Sequence, residues 1–252
     1  VSTMTSIGKP LHAARLQGAD CKSCYLNSLC LPGELSDTEV VELQAIVRPL
    51  IRLAKHEVLY VQGAPFSSLY AVRSGSFKQA TTAESGEYLV TGLFLPGELL
   101  GLDAMAEKRY SGTLVALETS TVCELPYQAL VTLCDRLPAL RHRLQRSLSR
   151  EIHDERLRLC RLLRRTADRR LACFLTSVSK RFQHRGYSPY RFRVSLSRAD
   201  LGSYLGLTEE TVGRALKRCE EDGLLTVHGR EFHLKDLPRL EHLARASGRR
   251  KA

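Results

Sequence analysis

Several things are missing from this 252-residue chain, and each absence excludes a class of protein. Apolar runs such as Leu93-Phe94-Leu95 are broken by polar residues far short of the roughly 20 that a spanning helix needs. Residues 1–20 carry no basic start followed by an apolar segment, so no secretory leader is expected and the cytoplasm is the expected compartment. There is no internal repeat and no low-complexity segment. No Gly-rich nucleotide loop, flavin motif or Ser/His/Asp arrangement is visible, which argues against an enzyme. Basic charge is scarce in one part only. Residues 1–140 hold 11 Lys+Arg against 14 Asp+Glu, whereas residues 141–252 hold 27 against 13, so the net +11 comes from the second part. Most of that excess is arginine, whose guanidinium donates two parallel hydrogen bonds to phosphate. Charge segregated in this way is the footprint of nucleic-acid binding. The arginines are not confined to one helix face, which disfavours a membrane surface.

What is present is led by a cysteine cluster. Cys21, Cys24 and Cys30 follow the spacing C-x2-C-x5-C, with polar residues between them. Thiolates this close can converge on one metal centre, and a fourth ligand would have to come from elsewhere. Zinc, an iron–sulfur site and disulfide use all remain open on spacing alone. In a reducing compartment the eight cysteines are expected as ligands or buried thiols rather than disulfides. Cys134, Cys160, Cys173 and Cys219 stand amid apolar neighbours in predicted helices and are expected to pack. Cys123, in a β stretch, is by itself a small buried residue.

Taken in order, Ser36 and Glu39 make a capping-box pattern for a helix over 36–47, with Val40, Leu43 and Val47 at helical spacing. From about Leu53 the period changes. Strands are predicted at 57–61, 69–73, 76–79, 88–94 and 113–125, separated by Gly turns, which suggests an antiparallel sandwich or barrel. After Leu137-Pro138 a long helix carries Leu144, Leu148, Ile152, Glu155, Leu159 and Leu162 on one narrow seam, flanked by arginines at 141, 143, 146, 150, 156, 158, 161 and 164. That seam predicts a partner helix, most simply from a second subunit. Glu155 stands where a leucine is expected, and a carboxylate facing its own copy repels it. Ser197 caps a short helix, Gly206 ends it, and Thr208 caps the next, which presents Glu209, Glu210, Gly213 and Arg214 outward. Two strands at 224–227 and 231–234 complete a winged helix.

These residues resemble the cAMP receptor protein (CRP/FNR) superfamily, and within it the oxygen-sensing fumarate and nitrate reduction regulators, from Cys21 through the wing. The resemblance implies an α+β fold. It comprises an N-terminal cluster-binding segment (1–35), an antiparallel β-roll sensor domain of the cyclic-nucleotide-binding kind (36–136), a dimerisation helix (137–165) and a winged helix-turn-helix DNA-binding domain (166–252). It implies that Cys21, Cys24, Cys30 and Cys123 hold a [4Fe-4S] cluster which oxygen converts to [2Fe-2S]. It further implies a homodimer through Leu148, Ile152, Glu155, Leu159 and Leu162, with Glu155 at the position of an acidic residue that opposes pairing. Glu210 and Arg214 match a pair reading a G·C step in a palindromic TTGAT-like site; chemically, Arg donates twice to guanine and Glu accepts from cytosine. Arg198, Thr211, Lys217 and His228 match phosphate contacts. The loop with Gly86 and Glu87 resembles a contact for RNA polymerase, which favours an activator. Cyclic-nucleotide binders carry an Arg-Ser pair after a Gly-Glu-Leu stretch. Here Gly97-Glu98-Leu99 is followed by Thr113-Leu114 at the matching place, so no cyclic nucleotide is expected. The recognition helix departs from the oxygen-sensing pattern at Gly213, usually Ser, and from the cAMP receptor protein at Glu209, where that protein has Arg. Tyr25 stands where the familiar member has a small residue.

Overall fold

A computed structural model describes residues 14–15, 18–163 and 166–245 of the chain, and divides it into two compact units, 1–148 and 149–252. The side chains of Cys160 and Arg161, and Arg164 altogether, lie outside what is described, so the packing expected of Cys160 is not addressed.

In the first unit the order of elements is β1 (Ala14–Arg15), a 3-10 turn (Leu31–Glu34), α1 (Asp37–Ile46), β2 (Arg48–Leu53), β3 (Val58–Tyr60), β4 (Ser68–Ser74), β5 (Phe77–Thr82), β6 (Tyr88–Phe94), β7 (Leu99–Leu100), β8 (Thr113–Ala116), β9 (Ser120–Pro126), α2 (Tyr127–Arg136) and the start of α3 (Pro138–Leu163). Helix α1 starts where its sequence says. Ser36 Oγ accepts from the Glu39 amide, and Glu39 reaches back to the Ser36 amide at 2.8 Å. Two antiparallel sheets form the roll, ordered β1-β2-β9-β4-β7 and β3-β8-β5-β6. Between them lie Leu53, Val72, Phe77, Leu100, Leu114 and Val122, with Tyr60 stacked on Tyr110 at 3.9 Å between ring centroids. Leu114 is fully buried in this layer and the Thr113 hydroxyl is taken by the Gln62 amide at 3.1 Å. Leu114 has no donor to offer an anion there, and neither residue carries a cation.

Side chains alternate across a strand, so the five-stranded sheet also has an outer face. Leu69, Ala71 and Leu125 face out and form a second core with Leu31, Leu43, Leu130, Leu133, Leu140 and Leu144. This second core seats the cysteine segment. The short strands β1, β7 and β10 (Arg191–Arg193) were unforeseen, and so was the longer β2. β2 begins at Arg48, directly after α1, although the change of period was expected nearer Leu53. Pro49 masks it in the sequence, and the structure accommodates it because the register between β2 and β9 shifts between Arg48 and Ile51.

In the second unit α3 continues and is followed by α4 (Ala167–Gln183), β10 (Arg191–Arg193), α5 (Arg198–Leu205), α6 (Glu209–Glu221), β11 (Leu225–His228), β12 (Glu231–Leu234) and α7 (Leu237–Arg245). Strands β10, β12 and β11 form a small antiparallel sheet. This is the α+β architecture expected: antiparallel roll, long helix, winged helix-turn-helix.

Candidate metal centre and nucleic-acid interface

The cysteine segment is a pair of tight turns held at several points. Asp20 accepts from the amides of Lys22 and Ser23, Gln44 from the Cys21 amide at 3.0 Å, and Asn27 Nδ2 donates to the Cys21 carbonyl at 3.0 Å. Turn bonds run from Asn27 N to the Cys24 carbonyl and from Leu29 N and Cys30 N to the Leu26 carbonyl. Leu26 and Leu31 are buried and anchor the segment on the second core, each contributing roughly 1.5–3 kcal/mol by its burial. Gly97 (φ +88°) lets the β6–β7 turn come close, since a Cβ there would stand 2.9 Å from the Leu29 Cβ. Tyr25, itself exposed, donates its hydroxyl to the Arg73 carbonyl at 2.6 Å, tying the loop to the end of β4.

Cys123 lies on β9 opposite Ala71 of β4, on the outward register of the sheet. It thereby meets the segment. Cys21, Cys24, Cys30 and Cys123 all line one cleft of about 480 Å³, counting its open mouth, whose walls include Leu26, Leu31, Leu43 and Leu125. Burial, reinforced by the neighbouring thiols of Cys123 and Cys24, pushes Cys21 up to about 11. Burial chiefly pushes Cys30 up to about 12. Cys123 is also raised by burial, opposed by the charge and hydrogen bond of Arg73. Cys21, Cys30 and Cys123 resist ionising together unless a multivalent cation replaces their protons. Among the described residues no three His, Cys, Asp or Glu side chains stand close enough to share a single metal ion. Four thiolates would suit a single zinc as well as an iron–sulfur group by ligand type. A polynuclear iron–sulfur group fits that donor set.

Arg73 and Arg143 were not singled out from sequence. Arg143, expected on the basic flank of the long helix, is buried at 8% exposure, and its Nε donates to the Cys30 carbonyl at 3.0 Å. The signal was available. Arg143 falls three residues after Leu140 and one before Leu144, on the face that helical periodicity turns inward.

The seam of the long helix is corrected in part. Leu144 is buried in the second core, so its own unit covers it, and Leu148 is partly buried against the same core. Leu162 lines a cleft with Phe174 and Tyr204. Ile152 and Leu159 are more than half exposed. Glu155, exposed between them, pairs with Arg158 of its own helix at 3.2 Å.

In the second unit the reading helix is defined by local bonds. Ser197 Oγ accepts from the Asp200 amide at 3.0 Å and Thr208 Oγ1 from the Thr211 amide at 3.2 Å. Gly206 takes φ +62° in the turn, as a left-handed C-cap requires. Val212, Ala215, Leu216 and Cys219 are buried, and Glu209, Glu210, Gly213, Arg214 and Lys217 are exposed on the opposite side. Arg214 is oriented by Glu210 at 3.2 Å and by the Thr211 hydroxyl at 3.3 Å. His228 is exposed on the wing. Arg198 stacks over Phe232 at 5.6 Å and donates to the Gly229 carbonyl at 3.1 Å, so it braces the wing. Gly86 and Glu87 sit at the exposed tip between β5 and β6, where the Ala83 amide donates to the Glu87 carbonyl at 2.9 Å.

A β-roll carried on one chain with a winged helix defines the class of DNA-binding transcription regulators. The model of the cyclic nucleotide-binding domain matches residues 50–137, and that of the Crp-like helix-turn-helix domain matches residues 158–243. The chain is 43% identical to the transcriptional activator protein anr of Pseudomonas aeruginosa, over 88% of this chain and 91% of that one. It is 38% identical to the fumarate and nitrate reduction regulatory protein of Escherichia coli K12, over 89% and 90% respectively. Among solved structures FixK2 from Bradyrhizobium japonicum is similar with a TM-score of 0.72 and 26% identity, covering 79% of this chain and 98% of that one. The chain belongs to the fumarate and nitrate reduction regulator branch of the CRP/FNR superfamily, and is a DNA-binding transcription regulator. No described helix is long and apolar enough to cross a membrane.

Proposed function

We propose that the chain is an oxygen-responsive transcription activator, acting as a cytoplasmic homodimer on palindromic DNA with TTGAT-like half-sites. Cys21, Cys24, Cys30 and Cys123 would hold a [4Fe-4S] cluster. The observation that carries the reading is the convergence of these four thiols, three from one loop and one from β9, on a single otherwise apolar cleft. When bound, such a cluster supplies a cationic centre that oxygen destroys, and so a reason for the site to report on air. The chain's own residues do the rest. The loop is fixed to the second core by Leu26 and Leu31, and the exposed Ile152 and Leu159 offer a stripe for the partner helix. Glu210 and Arg214 read the bases, while Arg198, Thr211, Lys217 and His228 hold phosphate. Gly86 and Glu87 offer a contact for RNA polymerase. A cyclic nucleotide is not the effector in this reading, since no arginine stands at Thr113 and the buried Leu114 has no donor for a phosphate.

The second reading is a zinc-bound or metal-free regulator with the same DNA-binding domain. A gel shift with a TTGAT-type palindrome, run on anaerobic and air-exposed protein side by side, separates the two. The expected result is brown anaerobic protein with iron and sulfide at about four each per chain that binds DNA and loses it in air. Colourless protein holding one zinc, or equal binding in both samples, overturns oxygen sensing.

A further inference from the structure

The cysteine segment is gripped from the long helix by one side chain. Arg143 donates from Nε to the Cys30 carbonyl at 3.0 Å and from Nη2 to the carbonyls of Ser28 and Leu29 at 2.9 Å each. Its Nη1 reaches Glu34 at 3.3 Å, and Arg146 pairs with the other oxygen of the same carboxylate. The three carbonyls end the turns that begin at Cys24, and that of Cys30 also accepts from the Gly33 amide at 3.4 Å. A planar guanidinium with five donors can satisfy all three and a carboxylate together; an ammonium with three cannot do so in one plane.

This grip links two registers. One residue along an α-helix is 1.5 Å and 100°, whereas hydrogen bonds tolerate only a few tenths of an ångström. The loop therefore cannot shift at Cys30 while α3 stays in place without leaving the buried Arg143 guanidinium unsatisfied, which is costly. Leu140 and Leu144 on the same face of α3 are packed in the second core and make the helix end rigid. Contact between the loop and the helix is thus direct.

We propose that Arg143 is a positioning residue that ties the setting of α3, and with it the stripe of Ile152, Glu155 and Leu159, to the seating of Cys30. The proposal rests on the cluster reading above for what seats Cys30. Its test uses the full chain as wild type, Arg143→Ala, Arg143→Lys and Arg143→Ala/Glu155→Ala. Anaerobic Arg143→Ala is expected to keep wild-type iron, sulfide and visible spectrum while its dimer dissociation constant rises about tenfold, within the usual 5–150-fold range of coupling. Arg143→Lys should fall between Ala and wild type, and removing Glu155 as well should recover part of the lost dimer affinity. In metal-free protein the Cys30 thiol of Arg143→Ala should be alkylated several-fold faster than in wild type. An unchanged dimer constant at equal cluster content overturns the proposal. So does a parallel loss of cluster and dimer in both the Ala and Lys variants, which would mean that Arg143 only helps the loop fold. If wild type holds no cluster, the function reading fails on that sample alone; the alkylation comparison still decides, and equal rates would overturn the grip itself.

Discussion

The two units build their functional surfaces in opposite ways. In the winged helix, the capping residues, the turn glycine and the outward-facing Glu209, Glu210, Gly213 and Arg214 all lie within residues 197–217, and each is placed by bonds to neighbours three or four positions away. In the roll, the cleft needs Cys123, which follows Cys30 by most of the sheet and reaches it only because β9 pairs with β4. A surface made locally survives changes elsewhere. A site gathered from separate elements responds to any of them, which is what a sensor requires.

The largest effect should come from breaking the gathered site at its remote member. Cys123→Ser is expected to lose the brown chromophore and to lower anaerobic DNA affinity on the order of tenfold to a hundredfold, the range of strong coupling. The thermal unfolding of the winged helix should stay as in wild type. Cluster absorbance that survives the change would remove Cys123 from the site. Next in size is Arg214→Ala, which leaves the sensor spectrum alone. It should weaken DNA binding by roughly 1–3 kcal/mol and relax preference at one G·C pair, measured by fluorescence anisotropy over single-base variants. Lys217→Ala should instead weaken all sequences alike and flatten the salt dependence by about 1; equal behaviour of the two variants would contradict their separate roles. Smallest is Glu155→Ala. Because Glu155 is exposed and paired with Arg158, its removal should favour the dimer by about 1 kcal/mol or less and raise DNA binding in air. A variant that stays monomeric and inactive in air would deny Glu155 its part in opposing dimerisation.

What could be read from the residues follows the same division. The capping box at Ser36 and Glu39 and the caps at Ser197 and Thr208 were legible because a side chain meeting a backbone amide three residues on needs no tertiary context. β2 was not, since Pro49 argues against a strand until the register shift beside it is known. The seam of α3 was read as one stripe, but Leu144 is buried in the second core and Leu148 partly so, while Ile152 and Leu159 are exposed. Arg143 was read as solvated because arginine is seldom buried. Only the carbonyls of Ser28, Leu29 and Cys30 explain why it is.

By itself the sequence determined which chemistry is available. It holds a thiol cluster with polar spacing, a basic C-terminal part, a capped helix pair with its outward residues, and a pattern of strands that must bury one face each. Those properties depend on residue type and on spacings of two to four, so they are written in the chain. The tertiary structure decided which distant groups meet: Cys123 with the loop across β4, Arg73 beside it, and Arg143 on the carbonyls at the loop's end. Such meetings are set by sheet register and by how helices pack on the outer face of a sheet, where one residue of slip turns every side chain away.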